Sequence, residues 1–415
     1  MKLFYNTGIF AYQLLVKGFS LVNEKAKLLS EGRKSIYSNI PNSWKQDNRK
    51  TAHFHAASLG EFEQARPVIE RFRIEFPDYK ILLTFFSPSG YEIRKYYNQA
   101  DYVCYLPFDT EFEANKFTKV FNPAISFFVK YEFWYHICKA LHQNGTTLIS
   151  FSAIFRQNQS LFKWYGKDIR STLRLFDYFF VQNELSKKLL SGIHITATKI
   201  TGDTRFDRVA AICKKPKELP EIEAYVDNKP CFVIGSSWKE DIEIIAPFIN
   251  AFKQPLKLII APHNINEDDI SYLEQAFKKK TIRYSNINKY TDEKILLIDN
   301  MGMLSSVYQF ATICHIGGAF KTGLHNTLEA ATYGKPILIG PNYKKFDEAI
   351  ALVNLDVCFP IQSTEQYESK FISLYENKQQ RTQIAETLKT YIDNNLGASE
   401  AVIDYCIKNL KHITQ

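Results

Sequence analysis

The chain has 415 residues, 45% of them hydrophobic, enough for two ordinary domains with packed cores, and this excludes a disordered chain. The formal charge of +8 suits an anionic partner such as a nucleotide, a phosphorylated substrate or an acidic membrane surface. With no RNP-type motif and no basic arm, nucleic acid is not an expected partner. The seven cysteines are odd in number, widely spaced and without a CxxC, which points to reduced thiols and against a disulfide framework or a zinc site.

Residues 1–35 contain "LFYNTGIFAYQLLVKGFSLVNEKAKLL", apolar and aromatic but interrupted by Asn6, Gln13 and Lys17. The uninterrupted part is shorter than the ~20 residues that span a bilayer. The rings of Phe4, Tyr5, Phe10, Tyr12 and Phe19, with Lys17, Lys25, Lys27, Arg33 and Lys34, predict a membrane-associated interfacial helix on a cytoplasmic leaflet. A core helix packed on the first domain is the alternative reading.

From 36 to 212 the pattern alternates. "TAHFHAAS", "KILLTFF", "DYVCYLP", "AISFFVK", "TTLISFSA" and "DYFFVQN" read as short buried strands, separated by helices, and "LFKWYGKDIRSTLRLF" reads as helical. "CKKPKELPEIEAYVDNKP" has prolines and mixed charge without a clean period and is expected to connect two domains. Between 226 and 395 the alternation restarts with "CFVIGSS", "LKLIIAPH", "KILLID", "TICHIGG" and "KPILIGP". From about Asp347 the chain is expected to be mostly helical, with a C-terminal helix in 396–415. Two doubly wound α/β domains with parallel sheets are implied, facing across a cleft, with ligands outside the carboxyl ends of the strands.

Several stretches at strand ends could carry chemistry. In "HIGGAFKTGLHNTLEAATYG", Gly317 and Gly318 let a backbone approach closely, and a helix is expected to begin at His325-Asn326. Glu329 could accept hydrogen bonds from ribose hydroxyls, or could close a capping box with Asn326. Met301-Gly302 opens another helix, and Ser236 and Ser237 could bind phosphate oxygens or cap a helix. His263 sits at a further strand end. In "HAASLGEFE", Ser58 and Glu61 have capping-box spacing. The sharper reading is a base that the helix dipole keeps ionised. Glu132 in "KYEFWYH" ends a buried strand, where Lys130 could pair with it. There is no G-x-S-x-G, P-loop, HExxH, EF-hand or suitably placed DxD sequence, so the expected mechanism uses neither metal nor cofactor.

These pieces, in this order, resemble the 3-deoxy-D-manno-octulosonic acid (Kdo) transferases of lipid A biosynthesis, which have the GT-B glycosyltransferase fold. The residues carrying the resemblance are "HAASLGE", "TFFSPSGYE", "YLPFD", "FFVKYEFW", "VQNE", "TGDTRFD", "GSSWKEDIE", "DNMGMLSSVYQFA" and "GGAFKTGLHNTLEAATYGKPILIGP". The resemblance implies inverting transfer of Kdo from CMP-Kdo to a lipid A precursor (lipid IVA) at the cytoplasmic face of the inner membrane. It implies that Glu61 is the general base and Glu132 a second acidic residue. Ser236, His263, Met301, Gly302, Asn326 and Glu329 would line the CMP side. Two departures stand out. Lys130 replaces the first acid of an E-x-E-type pair, and Pro262-His263-Asn264 stands where many members have P-R-H. Rival readings are another GT-B nucleotide-sugar transferase, a nucleotide-sugar epimerase, or a non-catalytic nucleotide-sugar binder at the membrane.

Overall fold

The computed structural model describes residues 2–163, 166–321 and 323–410. The chain divides into two compact units, Met1–Arg208 with Asn395–Gln415, and Val209–Asn394.

The first unit is built on a seven-stranded, wholly parallel sheet. Its strands are β1 (Lys50–Ala56), β2 (Tyr79–Phe85), β3 (Tyr102–Tyr105), β4 (Pro123–Val129), β5 (Thr147–Ala153), β6 (Tyr178–Val181) and β7 (Thr198–Ile200). They are ordered β3-β2-β1-β4-β5-β6-β7. Strands buried on both faces need near-continuous apolar runs, and β2 is buried at every position. Side chains alternate between the faces. Phe127 therefore packs with Phe54 and Phe72 in one core layer, while Phe128 packs with Leu82 and Phe117 in the other.

The N-terminal segment forms two helices, Lys2–Phe19 and Glu24–Lys34. The first is docked along one edge: Asn6 meets His136 Nε2 at 2.7 Å, Tyr5 hydrogen-bonds Asp109, and the Tyr12 ring contacts Phe86 and Phe108. Its other face leaves Phe10, Leu14, Leu15 and Phe19 largely exposed. Among the described residues no helix is long and apolar enough to cross a membrane.

The C-terminal segment does not stand apart. Its helix Ala398–Leu410 packs on the Leu59–Glu75 helix of the first unit, burying Val402, Ile403, Cys406 and Leu410. Asp207 anchors its start by accepting the backbone N–H groups of Gly397 and Ser399, both at 2.7 Å. Each buried aliphatic side chain is worth ~1.5–3 kcal/mol. A chain ending at Asn395 should therefore lose several kcal/mol of first-unit stability, read as an earlier thermal transition; an unchanged transition would refute this packing.

The second unit repeats the plan with β8 (Cys231–Ser237), β9 (Lys257–Pro262), β10 (Thr281–Arg283), β11 (Ile295–Leu297), β12 (Ile313–Ile316), β13 (Ile337–Ile339) and β14 (Cys358–Pro360). The order is β10-β11-β9-β8-β12-β13-β14, again all parallel. The three-residue edge strands β10 and β14 are too short to show a period in sequence. The expected connection is also more ordered than its composition suggested. Residues 220–226 form a helix with Ile222, Tyr225 and Val226 buried, and the Tyr225 hydroxyl donates to the Leu258 carbonyl at 3.0 Å. Apolar side chains at this helical spacing outweigh the prolines, one of which sits at the helix start, where proline is tolerated.

Candidate active site

In each sheet the strand order reverses at one place, and there the loops after two adjacent strands diverge to leave a crevice. In the first unit the reversal lies between β1 and β4. β1 leads into the Leu59–Glu75 helix, which carries Glu61 in its first turn; β4 leads into Lys130–Trp134, which carries Glu132. The fold thus brings both carboxylates to one sheet edge.

The capping box expected at Ser58 is not formed. Ser58 makes no side-chain cap, and Glu61 Oε2 instead accepts the backbone N–H of Ala57 at 2.6 Å. Nor does the helix dipole hold Glu61 ionised as expected. Burial, then the charge of Glu132, push its carboxyl up to about 7, against the Ala57 N–H and the Lys130 charge. Glu61 is 8% exposed, and desolvation outweighs a dipole worth ~0.3–1 kcal/mol.

Of the readings open for Glu132, the pair with Lys130 is not formed among the described residues. Glu132 Oε2 accepts the Trp134 indole N–H at 3.1 Å and lies 3.9 Å from His55 Nε2. That nitrogen is buried without a hydrogen-bond partner, while His55 Nδ1 meets Thr84 Oγ1 at 2.9 Å. His55 and Trp134 were not singled out in sequence. The period of β1, which sets His53 and His55 on one face, was the available signal. Lys130 has φ of 58°, in the left-handed region, so the chain turns sharply as it leaves β4.

In the second unit the reversal lies between β8 and β12. Gly317 and Gly318 follow β12 and pass so close to the β8 loop that a Cβ on Gly317 would fall 2.3 Å from the Ser236 carbonyl oxygen. Asp241, fully buried, ties the two loops. It accepts the N–H of Trp238 at 2.8 Å and of Gly318 at 3.0 Å, and its other oxygen lies 3.2 Å from His315 Nε2. Sequence reading passed over Asp241, because an acid three residues after a helix start looks like an ordinary capping partner.

Beside this junction three rings stack. Trp238 lies 4.3 Å from His263, and His263 lies 4.6 Å from His325, between ring centroids. Trp238 donates its indole N–H to His325 Nε2 at 3.1 Å, so that nitrogen carries no proton. Burial, reinforced by His263, pulls His325 down to about 4, and burial also lowers His263. His325 is therefore not a cation at neutral pH. Ser237, which lines a cavity with Trp238, Pro262 and Asn264, has a buried hydroxyl with no hydrogen-bond partner, and Ser236 has φ of 52°.

The remaining candidates are placed differently. Asn326 precedes the helix it was expected to open: that helix runs Leu328–Thr332 behind Thr327. The Asn326 Oδ1 accepts the Leu328 N–H and its Nδ2 donates to Glu329 Oε1 at 3.2 Å, so the two side chains hold one another. Met301 is exposed, and Gly302, with φ of 87°, has its carbonyl held by Lys217 Nζ at 3.0 Å. Both follow β11, two strands from the reversal.

Comparison with known proteins bears out the family resemblance. Residues 32–208 match the family model described as 3-deoxy-D-manno-octulosonic-acid transferase (kdotransferase). A 3-deoxy-D-manno-octulosonic acid transferase of Rickettsia felis is 25% identical over 364 residues, covering 84% of this chain and 76% of the relative. Among solved structures, a UDP-GlcNAc 2-epimerase from Neisseria meningitidis bound to UDP-GlcNAc aligns with a TM-score of 0.62 at 16% identity, over 87% of this chain and all of that one (100%). MurG of Acinetobacter baumannii aligns with a TM-score of 0.56 at 15% identity, over 87% and 99%. These likenesses show the fold alone, two α/β domains of GT-B kind. The chain is a glycosyltransferase. The family it resembles along most of its length is that of the Kdo transferases.

Proposed function

We propose that this glycosyltransferase moves Kdo from CMP-Kdo to the hydroxyl of a lipid A precursor, lipid IVA, with inversion at the anomeric carbon, at the cytoplasmic face of the inner membrane. The observation that carries the mechanism is Glu61. Its buried carboxyl is poised at about 7 at the β1/β4 sheet edge, where a general base is most effective at neutral pH. It would take the proton of the attacking hydroxyl as the bond to the sugar carbon forms and CMP departs.

Glu132 acts here as a positioning residue, since its charge is the second cause of the raised Glu61 pKa. Glu132→Gln should therefore move the acidic limb of the kcat/KM profile to lower pH, with a smaller loss at the plateau than Glu61→Gln shows. A limb that stays in place would contradict this coupling.

On the donor side the unpartnered Ser237 hydroxyl and the Trp238–His263–His325 stack support a nucleotide site that offers hydrogen bonding and ring contact. Thermal shift with CMP against UDP tests donor choice. Stabilisation by CMP is expected, and preferential stabilisation by UDP would favour a different nucleotide-sugar enzyme.

A further inference from the structure

A cavity of about 500 Å³ lies in the first unit, between the two N-terminal helices and the loop after β3. Lys17, Arg33, Lys34, Phe108, Glu113 and Lys116 are among the residues lining it. Arg33 is 8% exposed. Its Nη1 donates to the Leu29 carbonyl at 3.2 Å and its Nη2 to the Phe86 carbonyl at 3.0 Å. Its Cζ lies 4.5 Å from the Phe108 ring centroid, 4.7 Å from Phe86 and 5.3 Å from Tyr105. Arg33 forms no ion pair among the described residues, and its Nε is buried without a hydrogen-bond partner. Burial lowers its pKa only to about 10, so it remains a cation at neutral pH.

A buried guanidinium without a counter-ion is costly, and an anion entering the cavity would relieve that cost. The rim strengthens the case. Lys17, Lys34 and Lys116 are exposed, and the lining acid, Glu113, accepts the Tyr37 hydroxyl at 3.1 Å. Four cations thus face one carboxylate. Alongside, the Lys2–Phe19 helix exposes Phe10, Leu14, Leu15 and Phe19, each by more than half, and Leu21 and Val22 just beyond it are more than four-fifths exposed.

We propose that this cavity binds the phosphate headgroup of an anionic membrane phospholipid, while the exposed helix face lies among the neighbouring acyl chains. The cation cluster matches the headgroup, and the adjoining apolar face distinguishes a lipid from a free phosphate. Phe86, whose carbonyl holds Arg33, stacks at 4.7 Å on Trp134, the residue that binds Glu132. Headgroup binding would then set the membrane surface close to the two carboxylates. The inference rests on the membrane part of the proposed function and not on the sugar transferred.

The test is flotation of the full chain with phosphatidylcholine vesicles, with and without phosphatidylglycerol. The chain should prefer the anionic vesicles. Each basic residue near such a surface contributes about fivefold in affinity. The double variant Lys34→Gln/Lys116→Gln, altered only at exposed positions, should therefore lose about 25-fold on anionic vesicles and little on neutral ones. Arg33→Met, checked for folding by circular dichroism, should weaken the preference by at least about fivefold. Equal binding to both vesicles, or an undiminished preference in the double variant, overturns the proposal. Displacement by millimolar glycerol phosphate would make the site one for soluble phosphate and also overturn it. So would variants that keep vesicle binding and only raise the KM for the acceptor. A chain that ignores headgroup charge yet transfers Kdo in detergent refutes the headgroup site and leaves the reaction standing.

Discussion

Glu61→Gln will nearly abolish turnover and, at neutral pH, make the first unit more stable. The kinetic half follows from general-base catalysis, which is worth ~10²–10⁴ in rate. The amide keeps an oxygen to accept the Ala57 N–H, so the helix start survives, but it cannot take a proton. The stability half follows from linkage. Folding raises the Glu61 pKa from its ordinary 4.5 to about 7, so the fold favours the neutral form. The stability this contributes is fully present below pH 4.5 and is lost as pH rises through about 7. Above that, the ionised carboxylate costs up to about 3 kcal/mol, a cost that glutamine does not carry. Thermal unfolding across pH 4 to 8 checks this: variant and parent should coincide at the acid end and separate toward neutrality. A variant less stable than the parent at pH 8 would show that Glu61 is a structural helix residue instead.

Asp241→Ala will have the largest structural effect in the second unit. It removes the acceptor for two backbone N–H groups, those of Trp238 and Gly318, in a fully buried setting. Each stranded donor costs ~1–3 kcal/mol, so the two together should cost ~2–6 kcal/mol. The β8 and β12 loops would separate, so stabilisation by CMP should disappear even at temperatures where the unit stays folded. Asp241→Asn keeps one acceptor and should fall between. If Asp241→Ala melts with the parent and keeps its response to CMP, the tie between the loops is not what shapes the nucleotide site.

The strands were the most legible part of the fold. "KILLTFF" and "CFVIGSS" are continuous apolar runs because parallel strands are buried on both faces, and both form where expected. Edge strands such as Cys358–Pro360 gave no such signal, being three residues long. The partner of the C-terminal helix was likewise hidden, since an apolar stripe states that a helix is covered but not by what. Within the site, Glu61 could be found from its position after a strand and a glycine turn. Its protonation could not, because that depends on burial and on Glu132, which arrives from another strand. Trp238 and His55 escaped notice for the same reason: their roles arise from neighbours distant in the chain.

The most direct measurement is the pH dependence of kcat/KM for Kdo transfer by the purified chain, with CMP-Kdo and lipid IVA as substrates and the product identified by mass spectrometry. The predicted result is a Kdo-bearing product whose rate rises tenfold per pH unit below about 7 and levels above it, with both the product and the limb lost in Glu61→Gln. A Glu61→Gln enzyme that retains full turnover, or a parent whose rate is flat through this range, would contradict the assignment of Glu61 as the base.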